Sequence, residues 1–259
     1  MSAGNAAEAA QAASASSQPV MSLRGIRKHF GAIEALRGVD LDLFRGECLG
    51  LLGDNAAGKS TLMKVMSGAY IPDAGSIALQ GETVHFAGPA DARARRIEMV
   101  YQDLSLCDTI DVAGNMFLGR EIVRGGLLAK AEMQQHAREM LDALEIRIPD
   151  LSLRVANLSG GQRQSIAIAR AASFDPLVLI MDEPTSALAV AEVEAVLALI
   201  RRLKAQGRAV VLITHRLQDV FRVCDRLAVM YEGRKAAERR IGETDLAELV
   251  ALITTGTAP

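Results

Sequence analysis

The segment that most restricts what this chain can become is Gly53-Asp-Asn-Ala-Ala-Gly58-Lys59-Ser60, set between an apolar run, Leu49 to Leu52, and a helix-compatible run, Thr61 to Ser67. Glycines at such a junction allow a loop whose backbone N–H groups converge on anionic oxygens, and the helix N-terminus behind it adds partial positive charge. Gly53, Asp54, Asn55, Ala56, Ala57, Gly58, Lys59, Ser60 and Thr61 are therefore candidate contacts to a triphosphate. Lys59 is placed to neutralise the β- and γ-phosphates, and Ser60 to hold magnesium. On its own the loop specifies only a nucleoside triphosphate and leaves kinase and GTPase chemistry open.

Elsewhere, short runs rich in Val, Ile and Leu alternate with longer helical patterns, the rhythm of a largely parallel sheet covered by helices. Strands are expected at Cys48 to Leu52, Ile97 to Tyr101, Leu177 to Met181, Ala209 to Thr214 and Arg226 to Tyr231. Most of them run into polar, chemically capable residues, as in open α/β sheets whose ligands sit beyond the carboxyl ends of the strands. Between Asp103 and Ser173 the pattern turns almost wholly helical, strongest over Lys130 to Leu144 and Gly160 to Ala172. This stretch reads as a helical subdomain inserted at about 103–173. A last short helix is expected near Asp245 to Ile253. Residues 1–20, mostly Ala, Ser and Gln, are expected to form a disordered tail, with Met21 an alternative start and one folded domain spanning 21–259.

Two further segments carry chemistry. The apolar run Leu177 to Met181 ends in Asp182-Glu183, where Asp182 suits a hydrated magnesium ion and Glu183 suits a water attacking the γ-phosphate in line. The plainer alternative is a strand that emerges into solvent through two acids. Leu158-Ser-Gly-Gly-Gln162 opens a helix with Ser159 as N-cap, and its two glycines expose backbone N–H groups to an anion. Its plainer alternative is an ordinary capped helix.

Charge and cysteine usage narrow the partners. With 29 basic and 31 acidic residues the formal charge is −2, so nothing draws the whole chain to nucleic acid or anionic lipid, and no nucleic-acid partner is expected. Cys48, Cys107 and Cys224 form no CxxC pair and read as buried thiols in a reducing cytosol. No secretory leader pattern and no apolar stretch of about 18 residues is visible, so a membrane role is expected only through a partner.

The order and spacing of GDNAAGKS, Leu158 to Gln162 and the acidic strand end resemble the ABC ATPase family, from about Ser22 to Ile253. That resemblance implies a P-loop NTPase fold with an antiparallel β subdomain, and ATP with Mg2+ as ligands. It implies roles for three more residues: Gln102 contacting magnesium and the attacking water, His215 contacting the γ-phosphate, and Phe30 stacking on adenine. Glu183, His215 and Gln102 are then the catalytic set, and Ser60, Gln102 and Asp182 the metal set. Leu158, Ser159, Gly160, Gly161 and Gln162 would act on the ATP of a second copy in a head-to-tail homodimer. The family works at the cytoplasmic face of the bacterial inner membrane, peripherally, with transmembrane permease subunits.

Tyr101-Gln-Asp-Leu-Ser-Leu106 and Asn115-Met-Phe-Leu-Gly-Arg-Glu121, with lesser support from Ala69 to Gly75, resemble the simple-sugar branch of importers, the ribose, xylose and fructose type. A periplasmic sugar-binding protein is the implied indirect partner. A single cassette departs from the fused pairs common in that branch and favours the fructose-like type. Import of another polar solute such as branched-chain amino acids, a soluble non-transport ATPase, and a cassette that binds ATP without turnover are the alternatives. Two positions depart from the family pattern: Ala56 stands where Gly is common, and Ala189 where Asp usually ends the Ser186-Ala-Leu-Ala189 loop. The first matters only if the position needs positive φ.

Overall fold

The computed structural model describes residues 18–258. Of the expected tail, residues 1–17 lie outside the described residues. Val20 is buried, and its N–H donates to Leu43 O at 2.7 Å.

The first strands, β1 (Met21–Phe30) and β2 (Ile33–Leu43), pair antiparallel, and β4 (Ala74–Leu79) and β5 (Glu82–Val84) extend them into a sheet of order β2-β1-β4-β5. Between them in sequence, β3 (Cys48–Gly53) leaves for a second sheet and hands the chain to helix α1 (Lys59–Met66). The second sheet adds β6 (Ile97–Val100), β9 (Val178–Asp182), β10 (Ala209–Ile213), β11 (Arg226–Tyr231) and β12 (Arg234–Arg240) in the order β12-β11-β3-β10-β9-β6. Only β12 runs antiparallel there.

Helices pack on this parallel core because its strands are apolar on both faces. Side chains alternate along β3, so Leu49 and Leu51 enter the apolar cluster shared with α1 and the antiparallel sheet. Cys48 and Leu52 enter the opposite cluster, formed with α4 (Lys130–Ala143), α5 (Gly160–Ala172) and α6 (Val190–Ala205). Gly50 faces the same side as Cys48 and Leu52, where a Cβ would press against the Val220, Cys224 and Leu227 side chains at 3.1–3.2 Å.

One charged group is folded into the sheet. The guanidinium of Arg226, at the start of β11, donates to both oxygens of Glu47 at 2.8 and 3.0 Å and to Asp42 O at 2.6 Å. It also pairs with Glu238 and lies 5.0 Å from the Phe44 ring centroid. Residues 42–47, β11 and β12 are thereby tied to one side chain.

The stretch expected to be almost wholly helical contains a two-stranded hairpin, β7 (Val123–Arg124) with β8 (Leu127–Leu128). Its turn is Gly125-Gly126, both at positive φ (59° and 83°), the conformation that two-residue hairpins favour. Asn115, in the short helix α3 (Val112–Met116) that follows α2 (Pro89–Ala94), is fully buried and organises the loop before it. Its amide donates to Cys107 O and Asp111 O while its carbonyl accepts from Cys107 N–H. Arg120 pairs with Glu98 of β6 at 2.5 Å and stacks over Phe174 at 3.9 Å, which fastens this region to the parallel sheet.

Candidate functional site

The parallel register brings the chemically capable residues to one end of the sheet. Ile213 pairs with both Leu51 and Asp182, and Val100 pairs with Met181. The residues just beyond these strand ends, Gly53 and Asp54, Gln102, Glu183 and His215, therefore surround one cavity of about 550 Å³ together with Lys59, Ser60 and Asp182.

Gly53 leaves β3 at φ 145°, and a Cβ there would lie 2.3 Å from Met230 O, so no other residue fits. The loop then turns on itself, with Ala57 N–H donating to Asp54 O at 3.1 Å. Gly58, at φ 100°, caps α1, and Leu62 N–H donates back to Gly58 O. Ala56 adopts φ 66°. The position thus needs the left-handed conformation that Gly tolerates freely and that costs an L-residue about 1 kcal/mol or more.

The Lys59 ammonium folds over the loop, donating to Gly53 O at 2.7 Å and Asp54 O at 2.8 Å. Burial lowers its pKa, opposed by the charges of Glu183, Asp54 and Asp182. Asp182 is shifted the other way: burial raises its pKa, Glu183 raises it further, and Lys59 and Lys64 oppose. Burial thus works against the charged form of both groups, a condition that a bound anion with its counter-cation would relieve.

Glu183 follows β9 in a left-handed conformation, φ 51°, and its N–H donates to Ile213 O at 2.8 Å. Its Oε1 accepts the backbone N–H of His215 at 3.0 Å. Its Oε2 lies 2.9 Å from His215 Nδ1, yet no aligned donor reaches it, which leaves one buried carboxylate oxygen unpaired at the cavity. Strain at such a residue is typical of catalytic positions.

Among the described residues, no group of three or more His, Cys, Asp or Glu gathers as a protein cage for a metal. Magnesium in a phosphate site needs only one or two protein oxygens, because phosphates and waters complete its shell. Ser60 and the desolvated Asp182 fit that requirement, and the unpaired oxygen of Glu183 fits a water.

Not every expected residue meets at this cavity. Ala56, Ala57, Gly58 and Thr61 are not among the residues that line it. Phe30 lies outside the cavity lining, exposed at the end of β1 and edge-on to Tyr70 at 5.2 Å. The run Leu158 to Gln162 forms the start of α5, where Ser159 caps Gln162 N–H at 3.2 Å and Gln162 Oε1 accepts Ser159 N–H at 3.0 Å, a complete capping box. Gly160 borders a neighbouring cavity of about 280 Å³ with Gln102, Glu183 and Ser186.

Sequence reasoning overlooked several participants. Asp219, buried in helix α7 (Leu217–Val223), accepts the Thr185 hydroxyl at 2.7 Å and pairs with Arg216 at 3.2 Å. It couples the segment after Glu183 to the segment after His215, and nothing in its sequence context distinguishes it from a surface acid. Val250, Ile253 and Thr254 of helix α8 (Leu246–Thr255) form the apolar wall of the main cavity. Glu192, in the first turn of α6, accepts from Gly161 N–H, and a position three residues after Ala189 was the available signal.

Residues 36–186 match the family model described as ABC transporter. Among curated proteins, the chain is 43% identical over 236 residues to a xylose/arabinose import ATP-binding protein of Sulfolobus acidocaldarius, covering 91% of this chain and 94% of that one. It is 42% identical over 250 residues to a fructose import ATP-binding protein of Rhizobium meliloti, covering 93% and 96%. A ribose import ATP-binding protein of Geobacillus kaustophilus is 42% identical over 90% of this chain, which spans 48% of that protein's length. Among solved structures, an ATP-binding cassette of an ABC transporter in its ADP conformation superimposes with a TM-score of 0.77 at 25% identity, covering 92% of this chain and 96% of that one. A dimeric cassette in a post-hydrolysis state with ADP and Pi gives 0.73 at 25% identity, covering 85% and 98%.

Proposed function

The chain belongs to the ABC transporter family, and on that premise we propose that it is the ATP-hydrolysing subunit of a monosaccharide importer. The observation that carries the catalytic half is the convergence of Lys59, Ser60, Asp182, Glu183 and His215 on one cavity beyond the carboxyl ends of the parallel strands. The carbohydrate half rests on relatives whose names specify xylose/arabinose, fructose and ribose import, at 42–43% identity.

In this reading the loop from Gly53 to Thr61 wraps the phosphates of ATP through its N–H groups, and Lys59 exchanges its two carbonyl partners for phosphate oxygens. Phe30 supports the adenine ring. Ser60, Asp182 and Gln102 would hold magnesium, which supplies charge neutralisation on the β- and γ-phosphates. Glu183 accepts a proton from the attacking water through its unpaired oxygen, and His215 keeps that carboxylate oriented while reaching the γ-phosphate. Gln102 borders both this cavity and the one beside Gly160, so it senses nucleotide and partner together.

The run Leu158 to Gln162 is read as completing the site of a second copy, so the working unit is a head-to-tail dimer beneath a permease. The segment 103–173 is read as the subdomain that faces the permease, with a periplasmic sugar-binding protein delivering the solute. No helix among the described residues is long and apolar enough to cross a membrane, so attachment to the inner membrane's cytoplasmic face would run through that permease.

Phosphate release from Mg-ATP by the purified chain tests the enzymatic half. Glu183→Gln is expected to lower turnover at least 100-fold while ATP still protects the protein thermally. Residual turnover near the parent rate would reject the role given to Glu183. Uptake of labelled pentoses, fructose and branched-chain amino acids by a deletion strain tests the solute class, and loss of amino-acid uptake alone would reject the sugar.

A further inference from the structure

The donors assigned to a second copy's nucleotide are already occupied within this chain. Glu192 Oε1 accepts Gly161 N–H at 2.9 Å and lies 3.1 Å from the Ser159 hydroxyl, which donates to it. Its other oxygen accepts Ala189 N–H at 3.1 Å. The contact is close along its whole length: a Cβ on Gly161 would meet Glu192 Cγ, Cδ and Oε1 at 2.6–2.7 Å. Gly161 is buried beneath this side chain, although the residues before it are exposed.

Two donors aimed at one anionic oxygen from a helix start form the arrangement that also receives a phosphate oxygen. The groups holding the Glu192 carboxyl below the usual range are Gly161 N–H, Ala189 N–H and the Ser159 hydroxyl, with no cation among them. A site built from neutral donors around a carboxylate has no fixed charge to repel a second anion once the carboxylate leaves.

We propose that Glu192 is a built-in occupant of the Ser159–Gly161 cradle, which the γ-phosphate presented by a second copy must displace before the ATP-bound dimer closes. This inference rests on the reading of Leu158 to Gln162 given above. The carboxylate is tethered to α6, so it competes at an effective concentration far above any free anion and sets how much ATP closure requires. Displacement also releases the tie between α5 and the loop before α6, so closure and movement of that loop become one event. The simpler role, a half capping box that only stabilises α6, has a different signature: it changes thermal stability without changing the ATP requirement.

The test is ATP-driven dimerisation of the full chain, followed by analytical ultracentrifugation across an ATP titration in magnesium. Glu183→Gln serves as the non-hydrolysing parent and is compared with Glu183→Gln/Glu192→Gln. The double variant is expected to reach half-maximal dimer at about tenfold lower ATP. Glu192→Asp, which keeps the charge but shortens its reach to Gly161, is expected to shift the same way and serves if the glutamine variant folds poorly. Binding of ATP to the monomer, read by nucleotide protection at low protein concentration, is expected to stay unchanged. A parent that dimerises while neither Glu192 variant shifts the ATP requirement overturns the inference and leaves the function standing. A parent that binds ATP yet never dimerises overturns the role of Leu158 to Gln162, and the inference falls with it.

Discussion

His215 donates its backbone N–H to Glu183 Oε1 at 3.0 Å, while its Nδ1 lies 2.9 Å from Oε2 without an aligned hydrogen bond, although the two residues lie on different strand ends. The backbone contact is independent of the imidazole. His215→Ala should therefore leave Glu183 roughly in place but lose the group that reaches phosphate, lowering kcat about 100-fold with little change in ATP binding. Steady-state phosphate release alongside a nucleotide-binding isotherm separates the two effects.

Ala56 is strained at φ 66°. Ala56→Gly removes that strain but adds unfolded-state freedom worth roughly half as much, so a net gain of about 0.5–1 kcal/mol is expected. Urea unfolding without nucleotide measures it. A loss of stability would show that the methyl contributes packing.

Burial, and after it the charge of Glu183, raises the folded pKa of Asp182 above the ordinary carboxylate range. For an acid shifted upward, the charged form opposes folding. The penalty is complete above the folded pKa and disappears as pH falls toward the unfolded value. Asp182→Asn should thus raise Tm at pH 7 in the absence of nucleotide, and the advantage over the parent should shrink on acidification. The same variant should lose the thermal shift given by Mg-ATP.

Removing Arg226 strands Glu47 and Glu238 beside a mostly buried site, its own side chain being 12% exposed. Arg226→Ala is expected to cost about 3 kcal/mol, measured by urea unfolding, while ATP affinity of the folded fraction is retained because the cluster lies away from the phosphate loop.

The three thiols should react at separate rates. Cys48 and Cys224 are buried with sulfurs 3.6 Å apart, and the Cys224 pKa is raised by its bond to Cys48 and by burial. Cys107, expected from the sequence to be buried like the other two, is instead half-exposed because it sits in the loop before the Asn115 helix, and hydrogen bonds from Thr109 lower its pKa. Iodoacetamide under native conditions should modify Cys107 first, with the other two labelled only on unfolding; mass spectrometry reads the order.

Strands buried on both faces carried the legible part of the fold. Arg226 to Tyr231 forms β11 as expected; β3 runs one residue past its expected end, to Gly53, β6 and β10 stop one residue short, at Val100 and Ile213, and β9 is displaced by one residue at both ends. The Gly125-Gly126 hairpin was missed since two-residue strands carry almost no periodic signal. At the site, the phosphate loop and the acids announced themselves through composition at fixed spacing. Asp219 and the wall from α8 did not, because their roles arise only from packing between segments distant in sequence.

The position of β3 in the sheet has a consequence for how the chain is made. Cys48–Gly53 emerges early, but its two neighbours are Ala209–Ile213 and Arg226–Tyr231, near the other end of the chain. During synthesis the antiparallel sheet of β1, β2, β4 and β5 has all its partners within the first 84 residues and is free to form at once. The strand that carries the phosphate loop must wait, unpaired and apolar, until most of the chain has left the ribosome. Nascent chains halted before Ala209 should therefore expose Leu49 to Leu52 to chaperones, and the capacity to grip ATP should arrive in one late step rather than grow with length.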